Sequence, residues 1–276
     1  MIYDIKSGDQ TNFNIFFGKS TKMKKKIGQL AEKLAEGKKN IVFTGAGIST
    51  ESGISDYRSK GGLWDRFKPI YFDEFMASKS ARIEYWRRKC ELYKELDQAG
   101  PNAAHVALVE LYNKGLLDRV ITQNIDGLHQ EAGLPDERVI ELHGNTRRVR
   151  CMQCDQITPL AEALDKIAQG ELAPICRCNG YLKPDTISFG QSLREQDLSS
   201  AVTASQGCDV FLAIGSTLIV QPASMMPEYA RQNGAFLAII NLSETPYDAK
   251  VDVLIRGKVG EILPEINQRI DEMAAE

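Results

Sequence analysis

Short runs of apolar residues recur along the chain at 41–43, 120–122, 210–214, 236–240 and 251–255. Each is continuous rather than alternating, the pattern of a strand buried on both faces. Between several of them lie stretches such as "AAHVALVELYNKG", "PASMMPEYARQNG" and "GEILPEINQRIDEMAAE", whose apolar positions are spaced as on a helix with one buried face. Strands alternating with helices predict an α/β fold, a doubly wound and mostly parallel sheet. Such sheets bind ligands beyond the carboxyl ends of their strands.

The residues immediately after each strand are therefore informative. After Phe43 comes "TGAGIST", after Ile121 "TQNIDG", after Ile140 "ELHGN", after Ile214 "GSTLIV" and after Ile240 "NLSE". Any one of these reads as an ordinary strand-to-helix turn. Five clusters of small and polar residues at corresponding places indicate a shared site.

Two regions interrupt the alternation. Residues 61–98 read as a helical insertion, rich in aromatic and basic residues ("ARIEYWRRKCELYKEL"), and residues 147–188 hold four clustered cysteines. The expected organisation is a discontinuous Rossmann-like domain made of residues 22–60, 99–146 and 189–276, carrying both insertions. Residues 1–21 are an N-terminal extension. A helix starts in the solvated "KMKKK" at Lys22 and ends at Gly37. "GKST", residues 18–21, is not the end of a P-loop, because Phe13 stands where that motif needs a glycine.

Composition narrows the class without changing it. With 43% hydrophobic and 26% charged residues the chain reads as a globular protein, and its net charge of -3 argues against a general nucleic-acid binder. No apolar run approaches the roughly 20 residues of a membrane span, so no membrane partner is expected. The opening residues lack the apolar core of a secretory signal, which points to a reducing, cytoplasmic setting.

In that setting clustered cysteines suggest metal or redox chemistry. Cys151 and Cys154 are separated by two residues, Cys176 and Cys178 by one, while Cys90 and Cys208 stand apart. Four thiolates suit a tetrahedral, structural Zn²⁺. A redox dithiol and an incidental cluster are the alternatives left by spacing. Arg147, Arg148 and Arg150 flank the first pair, but the acidic chain disfavours a nucleic-acid zinc ribbon.

The first loop, "IVFTGAGISTESGISDYR", opens like a dinucleotide fingerprint, yet Thr50 replaces the third glycine and no second strand comes promptly. A dehydrogenase is thereby the weakest reading. Taken in order, "GAGISTESGISDYR", "TQNIDGLH", "LHGN", the four cysteines, "GST" and "NLS" resemble the sirtuin family of NAD-dependent protein deacylases, over about residues 27–263.

The resemblance implies an NAD-consuming deacylase acting on acylated-lysine proteins or peptides. The acyl oxygen attacks the ribose as nicotinamide leaves, and the acyl group ends on ADP-ribose. It implies that Gly45, Ala46 and Gly47 approach the pyrophosphate, with Ser49, Asp56, Tyr57 and Arg58 in a segment closing over the nicotinamide ribose. Gln123, Asn124, Ile125 and Asp126 would hold the ribose and the carboxamide, and His143 would be the base, with Asn124 and Asp126 also counted as catalytic. Gly215, Ser216, Thr217, Asn241, Leu242, Ser243 and Val259 would complete the NAD site. Ser188, Phe189 and Gly190 would pair with the substrate peptide by strand addition, and one structural zinc would sit on Cys151, Cys154, Cys176 and Cys178.

Ser55 and Tyr57 depart from the Pro-Asp-Phe-Arg common in the family, and Gln191 from its glutamate. Acidic-acyl sirtuins carry a tyrosine and an arginine three residues apart on the helical insertion. The register here sets Trp86 and Lys89 at those places, with Tyr85 and Arg88 one position earlier. A mono-ADP-ribosyltransferase on the same fold is the alternative function. His105 and His129 are read as packing or capping residues in helices.

Overall fold

A computed structural model of the chain describes residues 9–54 and 68–276, the side chains of residues 9–20 excepted. Helix α1 (Asp9–Glu36) leads into strand β1 (Asn40–Thr44). The side-chain amide of Asn40 sets the end of the helix, donating to the carbonyls of Leu34 (2.7 Å) and Leu116 (2.9 Å). The start at Lys22 read from the sequence is too late. Gly18 costs a helix only about 1 kcal/mol and does not stop it. "GKST" is thus helical, and the expected boundary between extension and domain falls inside one helix.

Two single turns of 3-10 helix, Ala46–Ile48 and Thr50–Ser52, come after β1. Next among the described residues come α2 (Phe72–Ala77), α3 (Lys79–Leu96), α4 (Ala103–Asn113), β2 (Arg119–Thr122), the one-turn α5 (Leu128–Glu131) and β3 (Val139–Glu141). Strands β4 (Gly144–Cys151) and β5 (Ile157–Pro159), helix α6 (Leu160–Ala168) and strand β6 (Leu182–Thr186) form a separate unit. The chain returns through α7 (Glu195–Gln206), β7 (Val210–Ile214), α8 (Met226–Gln232), β8 (Phe236–Ile240), β9 (Val253–Ile255) and α9 (Val259–Ala275).

The large sheet runs β3-β2-β1-β7-β8-β9, with parallel pairing throughout. The chain winds outward from β1 on one side and from β7 on the other, so the winding direction reverses between these two neighbours. That crevice is where doubly wound sheets hold ligands. Both strands are buried along their whole length. Val42, Leu212 and Ile214 pack with Leu34, Leu108, Leu111, Leu263 and Ile266 of α1, α4 and α9. Ile41, Phe43, Phe211 and Ala213 face the other way, against Ala201 of α7 and Met226 and Ala230 of α8.

The strand expected from residue 251 begins at Val253. Just before it Asp252 grips Leu237 twice, its amide donating to the Leu237 carbonyl (2.9 Å) and its carboxylate accepting from the Leu237 amide (2.8 Å). The antiparallel sheet β5-β4-β6 starts at Gly144, ahead of the residue 147 expected, because Gly144 already pairs with Thr186. Gly144 has φ +76°, and a Cβ there would lie 1.9 Å from the Asp185 carbonyl oxygen. The glycine of "LHGN" is a steric requirement. Among the described residues no helix is long and apolar enough to cross a membrane.

Candidate active site

A cavity of about 930 Å³ opens over the carboxyl ends of β1, β2, β7 and β8, at the point where the winding reverses. Its floor holds Gly45, Ala46 and Gly47 after β1, and Gly215, Ser216 and Thr217 after β7. The glycines serve a purpose that the sequence did not suggest. A Cβ on Gly47 would lie 2.7 Å from Gly215 Cα, and one on Gly215 (φ +59°) 2.4 Å from the amide nitrogen of Ile48. They let two backbone turns touch, with Gly45 donating to Ile214 (3.0 Å) and Gly47 to Gly215 (2.8 Å).

Small polar groups tie the strand ends together. Gln123 Nε2 donates to Ser216 Oγ (2.8 Å), and Asn241 Nδ2 donates to the carbonyls of Ser216 (3.0 Å) and Ser243 (2.9 Å). Gln123, Asn124, Ile125, Asn241, Leu242, Ser243 and Val259 all reach the cavity wall. Asn124 spends its amide hydrogens on Gly45 O and Ser49 Oγ, both at 3.1 Å, so what it offers a ligand is its Oδ1 acceptor.

Ser49 and Asp126 lie behind that wall. Ser49 Oγ donates to Asp126 Oδ2 (2.8 Å), and Asp126 Oδ1 accepts from the amide of Leu128 (3.0 Å). Both residues are buried, and in this arrangement they brace Asn124 rather than line the cavity. Asp56, Tyr57 and Arg58 lie outside the described residues, as does Ser55.

His143 comes after β3 and reaches the cavity beside Asn124. Its Nδ1 is 2.9 Å from the carbonyl oxygen of Gln123. A carbonyl only accepts, so Nδ1 carries the proton and Nε2 keeps its lone pair. Burial lowers the pKa of the ring below 6.5, against the opposing pull of the Gln123 carbonyl, and the imidazole is neutral at pH 7.

The segment beyond β6 is held against His143 by Ile187 N, which donates to His143 O at 2.8 Å. Ser188, Phe189 and Gly190 line the cavity, but several of their backbone groups are already bonded. Phe72 N donates to Phe189 O (2.9 Å), Gln191 N to Ser188 O (3.0 Å), and Ser188 N to Gln191 Oε1 (3.1 Å). Gln191 thus shapes this edge with an oxygen that a glutamate would also supply.

The four clustered cysteines converge. Their sulfurs all lie within 4.8 Å of one another, with Cys151–Cys178 at 3.5 Å and Cys154–Cys176 at 3.8 Å. Thiolates bound to one zinc at about 2.3 Å sit roughly 3.8 Å apart, so the donor set fits a tetrahedral ion. Gly180 makes room for it, since a Cβ there would approach Cys151 Sγ to 2.6 Å. Four protein ligands leave no open position, which suits a structural ion.

The profile of the Sir2 family matches residues 45–222. The chain belongs to the Sir2 family. It is 44% identical to an NAD-dependent protein deacetylase of Thermodesulfovibrio yellowstonii over 87% of this chain and 94% of that one. It is 39% identical to NAD-dependent protein deacylase 2 of Archaeoglobus fulgidus, over 92% of this chain and the whole of the other. A solved Sir2 structure with a p53 peptide and NAD+ superposes with a TM-score of 0.77 at 33% identity, covering 90% of this chain and 98% of that one.

Of the two residues that the register set on the helical insertion of this Sir2 chain, Lys89 lines the cavity and Trp86 does not. Trp86 is 1% exposed and packs with Val149, Ala163 and Leu182, its Nε1 donating to Leu182 O at 3.1 Å. Tyr85, Arg88, Lys89 and Leu92 line the cavity instead. The faces of α3 decide this, since one step along a helix turns a side chain by about 100°. Against the burial that would raise it, the ammonium groups of Lys89 and Lys183 bring the Tyr85 hydroxyl down to about 7.

Wall residues that the sequence did not single out include Lys68, Thr186, Ile187, Pro222 and Lys258, whereas Thr50 and Glu51 fall in the closing segment that begins at Ser49. Thr186 and Ile187 directly precede Ser188, and Lys258 directly precedes Val259, so adjacency was a usable signal. Val220 ends the post-strand run "GSTLIV", and Lys68 carried no signal.

Proposed function

We propose that this Sir2 protein is an NAD-dependent protein lysine deacylase, which moves the acyl group of an acyl-lysine onto the ADP-ribose part of NAD and releases nicotinamide. The observation that carries the proposal is the Nδ1–H of His143 fixed on Gln123, which leaves a neutral Nε2 base in the cavity beside Asn124.

Residues 45–47 and 215–217 form the floor for the pyrophosphate, their backbone close-packed and therefore rigid. Asn241, Leu242, Ser243 and Val259 take the far end of NAD. Asn124, braced by Ser49 and Asp126, presents Oδ1 to the nicotinamide ribose. The acyl-lysine enters past residues 187–190, which stand against His143. His143 Nε2 then accepts a proton from a ribose hydroxyl, making that oxygen the nucleophile toward the acyl carbon. A neutral base at pH 7 does this directly, whereas an imidazolium has no lone pair to offer.

Zinc on Cys151, Cys154, Cys176 and Cys178 supplies folding free energy to the β4–β6 unit, which carries the peptide segment at its end. None of the six cysteines is in a disulfide, in keeping with a reducing cytoplasmic setting.

Mass spectrometry of purified protein with NAD and acetyl-, succinyl- and long-chain acyl-lysine peptides tests the reading. Loss of an acyl group with matching O-acyl-ADP-ribose is the expected result. Intact peptides with ADP-ribose added to protein would replace it with the transferase reading.

A further inference from the structure

Beneath the cavity floor lie the two histidines that the proposed reaction does not use. His105 of α4 and His129 of α5 are 0% and 2% exposed, with ring centres 5.1 Å apart. Burying two imidazoles is unfavourable unless their nitrogens are paired. Their hydrogen bonds show what they join.

Asn102 N donates to His105 Nδ1 at 3.3 Å, so this nitrogen is bare and the proton of the neutral ring is on Nε2. On the other ring, Nε2 lies 2.9 Å from Thr44 Oγ1. Thr44 spends its hydroxyl proton on Thr122 Oγ1 (2.8 Å), so it accepts from His129 Nε2–H, and His129 Nδ1 is bare. Among the described residues, the two fully buried ring nitrogens without a hydrogen-bond partner are His105 Nε2 and His129 Nδ1, on rings that touch without a bond between them. One is a donor and the other an acceptor, so the unpaired atoms of the two rings are complementary.

Both ends of this chain touch the candidate site. Asn102 Nδ2 donates to Ile48 O (2.7 Å) and Ser52 Oγ (3.0 Å), in the turns after β1. At the other end Thr122 Oγ1 accepts from the backbone amide of Asn124 at 3.0 Å. Burial lowers the pKa of both rings, that of His129 to about 3, and keeps the pair neutral as these tautomers require.

We infer that His105 and His129 are positioning residues, a neutral imidazole couple that links the turns after β1 to Asn124 and holds the end of β2 in its catalytic geometry. The inference rests on the deacylase reading for its kinetic consequence. The couple acts through Thr44 and Thr122 and touches no substrate. The bonds from Asn102 N to His105 and from His129 to Thr44 fix each ring, and the contact between the two rings carries the link, where apolar packing alone would tolerate several arrangements.

Long-range ¹H–¹⁵N correlation NMR on histidine-labelled protein reads the tautomers directly, with only three histidines to assign. Neutral rings with the proton on Nε2 are expected for His105 and His129 at pH 7. A charged ring, or an Nδ1–H tautomer at either position, overturns the couple.

Kinetics tests its role. His129→Leu should lower kcat for deacylation at least about tenfold, as a small displacement of a reacting group does. KM for the acyl peptide should stay within about twofold, because ground-state binding is untouched. His129→Gln keeps an N–H near the ε position and should recover most of the loss. Should His129→Leu fail to fold, Thr44→Val removes the same link without changing shape and should lower kcat alike. Variants that melt earlier yet keep wild-type kcat would reduce the pair to a structural role and overturn the inference. A wild-type protein making no O-acyl-ADP-ribose would sink the deacylase reading itself. An active wild type indifferent to these variants would sink only this one.

Discussion

His143 Nδ1 lies 2.9 Å from the carbonyl oxygen of Gln123, so the turn after β2 fixes the proton of the residue beyond β3. The two strands are neighbours, and Thr122 pairs with Glu141 in their ladder. The tautomer of His143 is therefore set by the sheet. Replacing His143 with Ala should lower deacylation by about 10²–10⁴, the usual worth of a general base, while NAD binding by calorimetry changes little. Because the pKa lies below 6.5, kcat should be flat above pH 7 and fall only on the acid side.

The close approach of the two glycine turns makes a second prediction. Gly215→Ala places a methyl group against the amide nitrogen of Ile48 in a backbone conformation that alanine avoids. The cost should be about 2 kcal/mol or more from strain and overpacking, read as a shift in denaturant midpoint. NAD affinity should fall with it, since the clash pushes apart the turns that form the floor.

Metal removal should act at a distance. Cys151→Ser breaks the four-sulfur set, and chelation should release about one zinc per chain, as a closed four-cysteine site holds a single ion. The expected outcome is loss of the near-ultraviolet signal of Trp86, which packs on the β4–β6 unit, together with loss of deacylation. Fully active protein without zinc, by elemental analysis, would remove the ion from the account.

Stability should depend on pH through the buried histidines. His105, His129 and His143 are neutral in the fold and have lowered pKa values, whereas in the unfolded chain they take up a proton below pH 6.5. The unfolded state then binds more protons, so stability is full above pH 6.5 and is lost as pH falls, down to about 3 for His129. Each such histidine contributes up to about 1.4 kcal/mol per pH unit. Asp185, kept below 3.8 against its own burial by Arg150 and Arg148, adds to the loss only at more acid pH. Urea midpoints at pH 6 and 5 therefore report mainly the histidines, since the Tyr85 hydroxyl titrates higher, near 7.

The face of α3 that meets the cavity separates two neighbours. Trp86→Ala should cost about 3–5 kcal/mol by leaving a hole beneath the zinc unit, without changing the ranking of acyl peptides in a matched panel. Tyr85→Ala, which opens the cavity wall, should change that ranking.

The sequence alone determined the alternation of strands and helices, because a strand buried on both faces must be apolar throughout, as at Val42 and Leu212. It also located the small and polar residues after the strands, since Gly47, Asn124, His143, Ser216 and Asn241 stand directly behind apolar runs. The cysteine cluster was legible for a similar reason, its ligands being close in the chain.

Contacts between segments far apart in sequence were decided only by the tertiary structure. Glycine at 47 is explained by Gly215, and glycine at 144 by Asp185. Ser49 and Asp126 turned out to brace Asn124, which no local pattern encodes. Trp86 is turned away from the cavity and Tyr85 toward it because a helix turns about 100° per residue, and only the neighbouring sheet says which side is the cavity. His105 and His129 each looked like an ordinary helix residue, and their complementary protons became visible only once folding set the two rings side by side.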